Sequence, residues 1–273
     1  MYKFEYHRAA SLEEASRMLV ERPEAKLIAG GMSLVPMLKL RLARASDIID
    51  LCGLPDLQGI EVRDGRVVIR AMTTHAAVAA SEQVRRAIPA LAALAGGIGD
   101  PHCRNRGTLG GSLAHNDPAA CYPSGVLALD ATVQTNRREI VADEFFKSPF
   151  ETALGPGEII TSVSFPVPDR AAYVKFPQPA SRFALAGIFV SIKGAAVRVA
   201  VTGCAATAFR MPRFEAALGR SFQPDALDPI EVPESGLSTD IYADPEYRAH
   251  LIKVLTRRAV RACMGASGTL QPS

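Results

Sequence analysis

Apolar residues recur with a period of two at Ile60 and Val62 and at Val67 and Ile69, with Asp64-Gly65 between the two runs. Asp-Gly supplies the positive φ angles of a tight turn, so residues 57–63 and 66–70 are expected to pair as a β-hairpin. Short apolar runs at residues 26–29, 48–51, 131–135, 139–141, 158–165 and 172–176 read as further strands, and the first residues of the chain as an edge strand. Elsewhere the spacing turns helical. Ser11-Leu12-Glu13-Glu14 is a capping box whose helix buries Leu12, Ala15, Met18 and Leu19 and stops at Pro23. A helical run carries Pro36, Leu38 and Leu40. Thr73-Thr74-His75 opens an alanine-rich helical region that is broken at Pro89 and runs to Gly96-Gly97. His75, at a helix start, is read as a capping or surface-packing residue. Asp117 is expected as an N-cap, with Pro118 at the first position of the next helix.

Near residue 177 the pattern changes. Residues 187–192, 196–203 and 205–208 read as consecutive strands, and residues 211–218 as a short helix. Residues 219–239 are rich in Pro, Asp and Ser and read as a loop. Asp244-Pro245-Glu246 caps a final helix of about twenty residues, with Tyr247, Leu251, Val254 and Leu255 on one face. Strands followed by helices make a small α+β unit after residue 177.

Composition narrows the function classes. The chain has 273 residues, 48% apolar and 22% charged, enough for two globular domains. A formal charge of +3, with no basic run carrying interleaved aromatics, gives no sign of a nucleic-acid partner. No apolar segment approaches the roughly 20 residues that span a bilayer, and residues 1–8 lack the apolar core of a signal peptide, so a cytoplasmic location is expected. The five cysteines, Cys52, Cys103, Cys121, Cys204 and Cys263, are odd in number and show no Cys-x-x-Cys pair. That argues against a disulfide framework, a zinc knuckle or an iron–sulfur cluster in this chain. The histidines show no metal-ligand spacing, and no nucleophile elbow occurs.

Two glycine segments carry the candidate chemistry. Residues 99–118 hold four glycines and two prolines, and Thr108-Leu109-Gly110-Gly111-Ser112 sets adjacent glycines between hydroxyl residues. Adjacent glycines let backbone N–H groups converge where an anion can sit without meeting a Cβ. The second segment, Ala29-Gly30-Gly31-Met32-Ser33, follows a strand and precedes a helix, the arrangement that presents N–H groups to phosphate. Two such loops suit a ligand with two phosphates. Neither fits the dinucleotide fingerprint or the P-loop lysine pattern. Arg104 and Arg106 are open to two roles, neutralising phosphate or stiffening the loop.

At these residues, together with Asp117-Pro118, the chain resembles the FAD-binding medium subunit of molybdenum hydroxylases, the family of the carbon monoxide dehydrogenase medium subunit and of the flavin domain of xanthine dehydrogenase. The resemblance covers most of the chain. It implies an α+β fold: a two-part FAD-binding domain of the PCMH type over residues 1–177, then a small C-terminal α+β domain over residues 178–273. It implies a pyrophosphate held by the backbones of residues 30–33 and 108–112, with hydroxyl donors from Ser33 and Thr108. It also implies contacts from Asp117, from a strand ending at Ile160, and from a lysine matching Lys175. The expected partners are an iron–sulfur small subunit with two clusters and a large subunit with the molybdenum cofactor, usually as a dimer of heterotrimers. One departure stands out: the family usually has an acidic residue where this chain has Cys121, and a thiol is a poor acceptor. A stand-alone FAD oxidase and a scaffold subunit without flavin are the alternatives.

Overall fold

The structure, a computed structural model, describes residues 1–265. Residues 266–273 of the expected C-terminal domain lie outside the described residues. The chain starts with β1 (Glu5–Arg8), α1 (Leu12–Glu21), β2 (Lys26–Ile28), α2 (Leu34–Lys39) and β3 (Asp47–Asp50). The three strands form a parallel sheet in the order β1-β3-β2. Ser11 Oγ accepts the Glu14 N–H at 3.1 Å, and the Glu14 carboxylate reaches back to the Ala10 N–H at 2.7 Å, one residue short of a strict capping box. Ala15 and Met18 are buried, with Leu12 and Leu19 packed beside them.

The hairpin forms as expected, as β4 (Ile60–Arg63) and β5 (Arg66–Arg70). Asp64 and Gly65 have φ of 51° and 69°, and Ile60 pairs with Ile69 and Val62 with Val67. Six short helices follow: α3 (His75–Ala80), α4 (Glu82–Ala87), α5 (Pro89–Gly96), α6 (Pro101–Arg106), α7 (Leu109–His115) and α8 (Tyr122–Ala128). Then come β6 (Thr132–Thr135), β7 (Glu139–Val141), α9 (Ala142–Phe145), the small hairpin β8 (Phe146–Ser148) and β9 (Glu151–Thr152), and β10 (Ile160–Pro166). An antiparallel sheet of five strands, β4-β5-β10-β6-β7, results. The glycine segment at residues 99–118 holds two short helices, α6 and α7, because Asp100 and Thr108 each cap a turn: Asp100 accepts from the Cys103 N–H and Thr108 from the Gly111 N–H. Asp117 caps no helix. Its carboxylate accepts the Ala119 N–H at 2.8 Å in an Asx turn, and α8 begins only at Tyr122.

The third sheet is β11 (Arg170–Pro177), β12 (Ala184–Lys193), β13 (Ala196–Thr202) and β14 (Phe209–Arg210), antiparallel and in that order. It is covered by α10 (Pro212–Arg220) and α11 (Pro245–Met264). The strand near residues 172–176, expected to complete the first unit, is the first strand of this sheet, so the chain changes sheet between Pro166 and Arg170. Residues 205–208 form no strand; a single bridge joins Ala205 to Leu237. On α11 the buried face is Leu251, Ile252, Leu255 and Ala259, while Tyr247 is 41% exposed. Among the described residues no helix is long and apolar enough to cross a membrane.

One junction fixes the part built on the three-stranded parallel sheet to the five-stranded sheet. The Asn136 side-chain amide donates to Ser16 Oγ at 3.1 Å and to Gly157 O at 3.2 Å, and its oxygen accepts the Ile159 N–H at 2.9 Å. Gly157, at φ +69°, lies so close to α1 that a Cβ would meet Val20 at 2.5 Å. Beside it, Glu158 accepts from Arg138, Thr135 and the Gly155 N–H, which holds its carboxyl at about 2. Replacing Asn136 with Ala leaves the buried Ile159 amide without its acceptor, while Gly157 O keeps the Ser16 hydroxyl as a donor, and should cost about 1–3 kcal/mol. Urea denaturation checks this; a midpoint unchanged from wild type would show that the junction does not hold the two parts.

Candidate functional site

A cleft of about 560 Å³ opens where the three sheets meet. Ala29, Gly30, Gly31, Met32 and Ser33 line one side. Thr108, Gly110, Gly111, Ser112 and Asp117 line another, and Ile160 the floor. Ile160 begins β10 rather than ending a strand, because Glu158 closes a turn onto Gly155 just before it. Leu109 is fully buried behind the wall, and Lys175 does not line the cleft. Residues 180–183, in the turn between β11 and β12, complete the rim. No sequence signal marked them, since only the β11–β12 pairing brings them here.

The two glycine segments meet directly. A Cβ on Gly30 would stand 1.9 Å from Arg106 O and 2.9 Å from the Gly107 Cα, so only glycine admits this approach. Their donors are disposed differently. Among the described residues, the N–H groups of Gly30, Gly31, Met32, Ser33 and Leu34 donate to no protein group, and Ser33 places no side-chain cap on α2. The N–H groups after Thr108 are all used: Leu109 donates to Thr73 O, Gly110 to Ala71 O at 2.8 Å, Gly111 to Thr108 Oγ1 and Ser112 to Thr108 O. The expectation that residues 108–112 offer free backbone donors is corrected here for residues 109–112. Gly110 is required instead by contact, because a Cβ would lie 2.6 Å from the Ala71 Cβ and 2.9 Å from Ala71 O. The Thr108 and Ser112 hydroxyls remain able to donate.

The charged residues play structural roles. Arg104 donates to Ile98 O and Gly99 O, each at 3.0 Å, so it stiffens the turn before α6. Arg106 is exposed, and neither arginine lines the cleft. Lys175 donates to Gly97 O at 2.5 Å and Arg182 O at 3.0 Å and lies 3.7 Å from Cys121 Sγ. It thus ties α5 and the residue 180–183 turn together, with the Cys121 thiol between it and the cleft that Cys121 lines.

His75 corrects a second expectation. It starts α3, but Thr74 does the capping, and the His75 side chain is 4% exposed and lines the cleft. Burial, with a smaller contribution from the Arg104 charge, pushes its imidazole down to about 4. The unfolded imidazole gains its proton near 6.5 and the folded one near 4, so its contribution to stability is complete above 6.5 and is lost as the pH falls. Wild type should therefore lose about 2 kcal/mol between pH 7 and pH 5 that His75→Phe does not lose. Urea midpoints at both pH values test this, and parallel losses in the two proteins would contradict it. A second prediction concerns contact: Gly110→Ala should cost about 1–3 kcal/mol through overpacking against Ala71, read by the same denaturation, with a neutral result contradicting the close approach.

The chain is similar to known proteins along most of its length. The family described as "FAD binding domain in molybdopterin dehydrogenase" matches residues 2–168. The nicotine 6-hydroxylase medium subunit of Paenarthrobacter nicotinovorans is 37% identical over 269 residues, 93% of this chain and 95% of that one. The carbon monoxide dehydrogenase medium chain of Hydrogenophaga pseudoflava is 32% identical, over 95% of this chain and 96% of that one. A solved structure of the Hydrogenophaga pseudoflava carbon monoxide dehydrogenase, lacking the Mo-pyranopterin moiety of the molybdenum cofactor, superposes with a TM-score of 0.88 at 34% identity, covering 97% of this chain and 98% of that one. A chain with this domain, and with likeness along its whole length to such medium subunits, belongs to the family of FAD-binding medium subunits of molybdenum hydroxylases.

Proposed function

We propose that this chain is the FAD-carrying subunit of a cytoplasmic, heterotrimeric molybdenum hydroxylase. The observation that carries the reading is the row of five unpartnered N–H groups, residues 30–34, on the wall of a cleft large enough for an extended ligand. FAD fits this donor set: its pyrophosphate is an anion that unpartnered amides can receive, and Lys26 and Arg182 also line the cleft. When bound, FAD supplies the step between one-electron donors and an acceptor that takes one or two electrons.

The chain's own residues bind and orient. Gly30 and Gly31 let the loop come close, Ser33, Thr108 and Ser112 contribute hydroxyls, and Ala29, Met32, Gly110, Gly111 and Ile160 give small or apolar contact surface. Asp117 shapes the turn at the cleft edge, and Lys175 acts from behind Cys121. Electrons would come from two iron–sulfur clusters on a small partner subunit, which receives them from a molybdenum-cofactor subunit; a dimer of heterotrimers is the expected assembly. Relatives bearing the names of nicotine hydroxylase, carbon monoxide dehydrogenase and xanthine dehydrogenase subunits support the division of labour. The scaffold reading rests on Cys121 alone, which lines the cleft in place of the usual acidic residue, and the stand-alone oxidase reading has no observation of its own there.

The chain purified with its co-expressed neighbours should release FAD on heating, at about one per chain. Gly30→Ala should lower that content severalfold, because the loop must move away from Arg106. A folded wild-type complex without flavin would overturn the reading.

A further inference from the structure

Seven buried side-chain polar atoms lack a hydrogen-bond partner among the described residues, and one of them belongs to a residue of the cleft, His75 Nδ1. We propose that His75 is a positioning residue for FAD: its neutral imidazole hydrogen-bonds a polar atom of the bound cofactor, from the wall where Thr74 and Thr108 pair. The inference rests on the FAD reading given above.

The ring is held from several directions. The His75 main-chain N–H donates to Gly107 O at 2.9 Å. Gly107 packs so closely on the ring that a Cβ there would meet Nε2 at 2.6 Å. The Tyr122 ring lies on another side, with centroids 5.3 Å apart. Neither ring nitrogen forms a hydrogen bond to the protein among the described residues, so the imidazole is fixed in orientation yet unsatisfied. A buried polar group without a partner is costly, and an apolar ring of similar size would fill the same space. Nδ1 is sealed off, whereas Nε2 is not, so Nε2 is the ring nitrogen that a ligand in the cleft lined by His75 can reach.

The chemistry of the bond follows from the surroundings. Ala71, Met72, Ile98 and Ile160 line the cleft with His75. In this largely apolar setting, with the Arg104 charge nearby, the ring carries no charge at neutral pH. A neutral imidazole offers one N–H and one lone pair. It therefore fixes the orientation of one polar ligand atom and leaves phosphate charge to the amides of residues 30–34. Tyr122 supplies an internal control. Its hydroxyl is also buried without a partner, but Tyr122 does not line the cleft.

The test uses the full complex, stripped of flavin and titrated with FAD. His75→Phe keeps the ring stack and removes both nitrogens, His75→Gln restores a donor and acceptor, and Tyr122→Phe removes the neighbouring hydroxyl. The expected result is roughly tenfold weaker FAD binding for His75→Phe, the size of one buried hydrogen bond. His75→Gln should recover most of the affinity, and Tyr122→Phe should match wild type. Nitrogen-15 spectra of histidine-labelled wild type should show one imidazole signal moving on FAD addition, and that signal should be missing in His75→Phe. If His75→Phe fails to fold, the wild-type spectrum decides. FAD binding with no movement of a His75 nitrogen, or with His75→Phe binding as wild type does, overturns the proposal. Wild type that binds no FAD removes the FAD reading itself.

Discussion

The contact between the Gly30 backbone and the Arg106 carbonyl sets the rest of the site. The approach leaves no room for any side chain on Gly30, with a Cβ placed 1.9 Å from the carbonyl oxygen. It brings the loop after β2 against the junction of α6 and α7, two segments more than seventy residues apart in sequence. The N–H groups of residues 30–34 donate to no protein group among the described residues, and these residues line the cleft. Small residues here serve proximity first, and donor presentation follows from it.

The same logic divides labour between the two glycine pairs. Gly110 lies on Ala71, and the amides of residues 109–112 are spent on Ala71 and Thr73 in the turn after β5 and on Thr108. They build a rigid wall. The third sheet completes the cleft by anchoring that wall's far end: Thr202 Oγ1 donates to Ala120 O at 2.6 Å, and Gly203 N–H to Pro118 O at 2.9 Å. Lys175 adds bonds to Gly97 and to the rim turn. A cleft floor and rim drawn from three sheets is held at fixed width by hydrogen bonds rather than by one core.

Much of this was legible in the chain. The Ser11 N-cap, the Asp64-Gly65 hairpin and the capped final helix follow from local rules, and the structure has all three. The glycine segments were recognisable because their spacing serves backbone geometry, which sequence records directly. What stayed hidden depends on long-range placement. Nothing local shows that Ala71 O and Thr73 O consume the donors of residues 109 and 110. His75 reads as a surface residue because Thr74 beside it is so good a cap; its burial comes from Gly107 and Tyr122. The strand at Arg170–Pro177 changes sheet only because β12 is its partner. Asp117-Pro118 has the form of a helix start, yet the turn it makes is pinned by Thr202 and Gly203.

The central claim is that the amides of residues 30–34 receive the cofactor while those of residues 109–112 belong to the scaffold. Residue-resolved amide hydrogen exchange, on the flavin-free complex and after adding FAD, tests it most directly. The account predicts fast exchange at residues 30–34 without FAD and strong slowing with it, and slow exchange at residues 109–112 in both states. Fast exchange at residues 109–112 that slows only with FAD, with residues 30–34 unchanged, would contradict it.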